Sequence, residues 1–146
     1  MSDTVIVRDT GFVRDDLAQT TIAPVAELSA ETRAVDVTDA AELDKIAPLL
    51  GQLDLIRLAF ASFADGRGFT LARRLRQMGY RGRLRAKGHV LADQYAMARR
   101  AGFDEVEIDA GLATRQPEPQ WQARADWRAH DYQTRLRGSA ANGTFS

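Results

Sequence analysis

Two short segments, Gly82–Ala86 and Glu105–Asp109, alternate apolar and charged side chains, and a third, Leu55–Phe60, is apolar apart from Arg57. A period of two is the spacing of a strand with one buried face. Helix-spaced segments separate them. Phe69–Met78 carries Leu71, Leu75 and Met78 at i, i+4 and i+7 and stops at Gly79; Val90–Ala101 aligns Leu91, Tyr95 and Ala98 and stops at Gly102. Strands alternating with helices of about ten residues predict parallel βαβ units. Upstream, Ala34–Val37 reads as a short strand. Asp39, with Glu42 three residues later, resembles a capping box. It opens a helix carrying Leu43, Ile46, Leu49 and Leu50, which Pro48 bends or divides.

The strand faces follow from the alternation. One collects Ile56, Leu58, Phe60, Leu84, Ala86, Val106 and Ile108; the other carries Arg57, Arg83, Arg85, Glu105 and Glu107. Right-handed crossovers between successive strands put their helices on one side. The apolar face is therefore expected to meet the helices, while an arginine strand lies beside a glutamate strand on the other face. A doubly wound sheet would be apolar on both. The fold class is α/β, with repeated βα units and a mainly parallel, partial-barrel-like sheet. Thr4–Arg8, the Asp9-Thr10-Gly11 turn and Phe12–Arg14 add an N-terminal β-hairpin. Residues 15–32 read as irregular, with Pro24 opposing regular structure. The expected organisation is one α/β domain over 1–111 and a C-terminal tail over 112–146, partly disordered. In the tail Pro117-Glu118-Pro119 reads as a linker, and Trp121 and Trp127 are either a cover packed on the domain or anchors for a partner.

Composition removes several chemistries. The 146 residues include no cysteine and two histidines, His89 and His130. Disulfides, thiol catalysis, cysteine-ligated zinc and cysteine-ligated iron–sulfur clusters are thereby excluded, and no metal site is expected. A redox role would need an organic cofactor or a partner protein. Apolar runs fall far short of the roughly 18 residues of a membrane helix, and the start of the chain lacks signal-peptide character. A cytoplasmic protein without a membrane or nucleic-acid partner is the expectation.

The net charge of zero conceals a segregation. Residues 1–65 carry 12 acids and 5 bases, whereas residues 66–92 carry 8 bases and no acid. Of the 20 bases, 18 are arginine, which suits bidentate recognition of oxyanions. Two segments in this region each run from a strand through glycine towards a helix. The first, Asp65-Gly66-Arg67-Gly68 with Thr70, offers the N–H groups and positive dipole of a helix start. It lacks the third glycine of a dinucleotide loop and the lysine of a Walker loop. The second is Lys87-Gly88-His89, followed by Asp93 and Gln94. Both lie at the carboxyl ends of parallel strands, where such folds bind ligands. The candidate anion site is therefore Asp65, Gly66, Arg67, Gly68, Thr70, Arg85, Lys87, Gly88, Asp93 and Gln94. His89 and Asp65 are the candidate proton-transfer groups. Against these stand plainer roles: Asp65 as a turn cap, His89 as a helix cap, and Arg83 and Arg85 in ion pairs with Glu105 and Glu107.

Taken together, Asp65-Gly66-Arg67-Gly68, Leu84-Arg85-Ala86, Asp93-Gln94 and Gly102-Phe103-Asp104 resemble the bacterial domain-of-unknown-function 934 family over roughly residues 35–110. That family is typically encoded beside assimilatory sulfite reductase. The resemblance implies an accessory role in sulfite reduction, with sulfite reductase or its electron donor as partner. The residues leave two other readings open: an enzyme acting on a small anionic substrate, and a non-catalytic anion sensor. A polar sheet face also suggests a homodimer.

Overall fold

A computed structural model describes residues 4–16, 21–63 and 66–125. Seven strands form one open sheet in the order β2-β1-β7-β6-β5-β4-β3. β1 (Thr4–Arg8) and β2 (Gly11–Val13) make the hairpin, and β1 pairs antiparallel with β7 (Glu105–Asp109). β3 (Ala23–Pro24), β4 (Ala34–Val37), β5 (Leu55–Ser62), β6 (Arg83–His89) and β7 run parallel. The helices α1 (Ala41–Ile46), α2 (Arg67–Gln77) and α3 (Tyr95–Ala101) are the crossovers between successive strands. Ile56, Leu58, Leu84, Ala86, Val106 and Ile108 join Leu43, Ile46, Leu71, Leu75 and Ala98 in one core. The apolar face thus meets the helices, as the alternation requires.

Local chemistry sets the boundaries. Asp39 Oδ1 accepts from the Glu42 N–H (3.1 Å), and Glu42 Oε1 accepts from the Thr38 N–H (2.7 Å). Pro48 confines α1 to six residues, after which Ala47–Leu49 tightens into a 3-10 turn. α2 starts two residues before its apolar spacing does, because Gly66 at φ +81° caps it in the left-handed region.

Three expectations are corrected. First, Lys87-Gly88-His89 does not open a helix. β6 continues through it to pair His89 with Ser62, past an irregularity between Ala59 and Ser62. Gly88 has φ +145°, and a Cβ there would lie 1.8 Å from the Phe60 carbonyl oxygen. This glycine answers a close strand approach, not a turn. A 3-10 turn at Ala92–Gln94 then precedes α3, so the helix starts later than Val90. Second, Pro117-Glu118-Pro119 is no linker: Pro117 caps and Pro119 sits in the first turn of α5 (Glu118–Gln122), where a missing N–H costs nothing. Third, Pro24 does sit in a strand, the two-residue edge strand β3, a position that tolerates proline.

The chain beyond β7 packs back on the domain. α4 (Ala110–Arg115) buries Leu112 and α5 buries Trp121, and both side chains belong to the main core. Glu118 reaches the other sheet edge, where Oε2 accepts from the Phe12 N–H of β2 (2.7 Å). An otherwise open edge donor is thereby satisfied. The hairpin turn is tied down as well. Asp9 receives the Tyr95 hydroxyl and pairs with Arg99. Burial, reinforced by Asp9, pushes the Tyr95 hydroxyl above its ordinary range.

Candidate functional site

The polar sheet face is closed by its own charges. Asp36 of β4, Arg57 of β5, Arg83, Arg85 and Lys87 of β6, Glu105 and Glu107 of β7 and Arg8 of β1 share it, by the strand registers. Arg57 grips Asp36 through two bonds (2.6 and 2.7 Å) and donates to Glu107 (3.1 Å). Arg85, with a relative side-chain exposure of 0%, donates from Nε to Glu105 (2.6 Å) and from Nη1 to Glu107 (3.1 Å). Glu105 also accepts from Arg83 (2.7 Å) and Arg8 (2.9 Å). Asp15 and Asp16, just after β2, lie over this face: Asp15 bonds Arg85 (3.1 Å) and Asp16 bonds Arg83 (3.0 and 3.1 Å).

The structure therefore gives Arg83 and Arg85 the plainer of their two roles. The Arg85 guanidinium is surrounded by carboxylates, and this removes it from the anion site. Burial alone would raise the Glu105 carboxyl, but Arg85, Arg8 and Arg83 outweigh burial and hold it below its ordinary value. The hydrogen bond from Arg83 lowers Asp16 likewise. A carboxyl depressed by folding contributes stability above its unfolded pKa, and that contribution is lost as pH falls through the folded value. Denaturant midpoints are accordingly expected to stay level from pH 7 to about 5 and to fall below about pH 4. Urea titrations at pH 7, 5 and 3.5 read this directly. A midpoint unchanged at pH 3.5 would mean that these carboxylates are not stabilised by folding.

At the carboxyl ends of the parallel strands the two predicted segments do not converge. Two clefts flank Phe60. One, of about 380 Å³, is lined by Asp39, Ala40, Phe60, Gly66, Arg67, Thr70, Leu71 and Arg74. The other, of about 350 Å³, is lined by Thr4, Phe60, Lys87, Gly88, His89, Glu107, Ile108 and Asp109. Phe60 stands between them, with the Arg67 guanidinium 5.7 Å from its ring centroid. Arg67 and Thr70 thus belong to one cleft, Lys87, Gly88 and His89 to the other. A larger groove of about 730 Å³ lies at the opposite end of the strands, around Arg76. There Arg76 donates to the carbonyls of Tyr80, Gly82 and Gly102 and to Asp104, so it staples loops together.

The remaining candidates have structural duties. Gly68 is needed because a Cβ would sit 2.1 Å from the Phe63 ring. Phe63 in turn packs on Phe69 and Phe103, with centroids 5.6 and 5.9 Å away. Gln94 points back to the strand ends: its Oε1 accepts from the Leu91 N–H (2.9 Å) and its Nε2 donates to the Phe63 carbonyl (3.3 Å). Asp93 is exposed and pairs with Arg124 (2.7 Å). Trp121 is fully buried, edge-on to Tyr95, with its indole N–H donated to the Gln116 carbonyl (2.7 Å). It is a cover, which corrects its reading as a partner anchor. Asp65 and Trp127 lie outside the described residues.

Sequence reasoning missed Arg74 as a cleft residue, Phe60 as the divider, and Asp109. Arg74 was detectable, since it repeats the Arg67 position after two helical turns. Asp109 lines the second cleft and caps α4 by accepting from the Leu112 N–H (2.7 Å). Among the described residues no group of three or more His, Cys, Asp or Glu side chains is placed to hold a metal ion, and no helix is long and apolar enough to cross a membrane.

Comparison with curated proteins and with solved structures gave no match. A family model, described as a bacterial protein of unknown function (DUF934), matches residues 34–142. The match starts at β4 and extends beyond α5, and so takes in the parallel strands β4 to β7, the crossover helices, the whole Arg67–Arg74 cleft and the lining of the second cleft except Thr4. The chain belongs to the DUF934 family.

Proposed function

We propose that this chain is an accessory protein of assimilatory sulfite reduction, acting with sulfite reductase or its electron donor and holding a small oxyanion such as sulfite in the Arg67–Arg74 cleft. The family resemblance supports the pathway. The anion rests on one observation: Arg67, Arg74 and the opening turn of α2 meet in a single cleft. The guanidinium fork matches oxyanion geometry. The N–H groups of Gly68 and Phe69 precede the first intrahelical bond, from the Thr70 N–H to the Gly66 carbonyl, and have no partner within the helix. The charged side chains of the lining are Arg67, Arg74 and Asp39, and Asp39 is already engaged at the start of α1.

The alternative, an enzyme using Arg67, Arg85 and Lys87 to hold substrate and His89 or Asp65 to move protons, would need Arg67 to act together with Arg85, Lys87 and His89, which the fold keeps apart from it. That separation supports binding over turnover. A deletion strain tests the role. It is expected to fail on sulfate and on sulfite as sole sulfur source and to recover on sulfide. Normal growth on sulfite would contradict a part in sulfite reduction.

A further inference from the structure

Six of the eight bases between Gly66 and Ala92 divide into two sets; of the others, Arg67 lines the cleft beside Phe60 and Arg81 stands exposed at the opposite end of the strands. Arg76, Arg83, Arg85 and Lys87 turn to Asp104, Asp16, Glu105 and Glu107. Arg73 and Arg74 instead lie exposed on the outward face of α2, and the neighbouring α3 adds exposed Arg100. Among the described residues Arg73 and Arg100 make no ion pair, and Arg74 reaches only the highly exposed Asp44, at 3.9 Å. Arg8, Arg57, Arg76, Arg83, Arg85 and Arg99 have carboxylate partners, while Arg33, Arg81 and Arg115 stand exposed without an ion pair among the described residues; α2 and α3 are the neighbouring helices that together carry Arg73, Arg74 and Arg100. Met97, three residues before Arg100 on the same helix, is 47% exposed and is the exposed large hydrophobic side chain among the described residues.

We infer that the outward faces of α2 and α3, around Arg73, Met97 and Arg100, form a docking surface for the acidic face of a folded protein. Arginine and methionine are enriched at protein interfaces, where an apolar contact surrounded by charge provides both affinity and steering. A long polyanion fits less well. Asp39 and Asp44 stand exposed around α1, beyond Arg74, and would repel a strand or membrane continuing past the patch. The inference relies on the accessory role only for the partner's identity; the surface itself is argued from its charges.

The test uses the full chain and a short fluorescent tetraglutamate peptide, too short to reach past the patch, followed by anisotropy at low and at physiological salt. The wild type is expected to bind, more weakly as salt rises. The Arg73→Glu/Arg100→Glu variant is expected to lose at least about ten-fold in affinity. Arg81→Glu, an equal charge change at the other end of the strands, is expected to retain it. Circular dichroism melts check that the variants fold, as exposed positions should allow. Binding that survives the double reversal, or that Arg81→Glu weakens equally, would overturn the surface. So would tighter binding to duplex DNA or phosphatidylserine vesicles, which would assign the patch to another class of partner. The growth experiment and the peptide titration read different things, so either proposal can fail alone.

Discussion

Replacing Arg85 with alanine is expected to destabilise the fold by about 3–5 kcal/mol, the usual cost of breaking a buried ion pair from one side. Two buried carboxylates, Glu105 and Glu107, depend on this one guanidinium, and Asp15 takes a third bond from it. Removing it leaves Glu105 to Arg8 and Arg83, and Glu107 to Arg57 and Lys87, with negative charge in a place water does not reach. The midpoint of denaturant unfolding should fall while the slope stays unchanged. Arg85→Met separates the causes: it restores most of the volume and none of the charge, so it should be nearly as destabilising. Arg85→Lys should recover only part, because a single ammonium cannot present the guanidinium's fork to both glutamates. A loss below about 1 kcal/mol for alanine would mean that the remaining arginines suffice and that the network does not depend on its centre.

The network is not optimal in every atom. Arg85 Nη2 is buried without a hydrogen-bond partner, and Asp16 Oδ1 stands 3.7 Å away. Such a face contributes little net stability relative to apolar packing, because desolvation offsets most of the attraction. It does fix register. Shifting β6 by one residue would carry Arg85 into the apolar core and Leu84 among the carboxylates.

The alternation of Arg57, Arg83, Arg85, Glu105 and Glu107 was legible because a strand's faces are set by its period alone. With it came the sheet's two-sided character, the side on which the helices lie and the ion pairs themselves. Asp15 and Asp16 were not legible as partners of Arg83 and Arg85. They sit about seventy residues away in the chain, in a segment without periodicity. Gly88 misled because glycine next to a strand usually marks a turn. Here it answers a tertiary demand, the approach of the Phe60 carbonyl, which nothing near residue 88 announces. Pro117 and Pro119 misled for a related reason, since proline forbids a helix interior but not its first turn. For the site, the sequence placed Arg67 and Lys87 at the same end of the sheet, which is correct. It held no information on their lateral separation, which depends on where the Phe60 ring stands between neighbouring strands.

That separation yields the other large effect. If an oxyanion belongs to the Arg67 cleft, Arg67→Ala removes a charge-assisted contact worth about 1.5–3 kcal/mol, a loss of roughly 10- to 100-fold in affinity. Lys87 lines the cleft on the far side of Phe60 and is half exposed, so Lys87→Ala should leave the affinity unchanged. The anion should also raise the melting temperature of the wild type by binding linkage, and raise that of Arg67→Ala much less at the same concentration.

The most direct measurement is a calorimetric titration of the full chain with sulfite, at fixed ionic strength, for the wild type, Arg67→Ala and Lys87→Ala. The account predicts saturable one-to-one binding that Arg67→Ala weakens by one to two orders of magnitude and Lys87→Ala does not alter. No saturable heat for the wild type, or a loss that follows Lys87 and not Arg67, would contradict it.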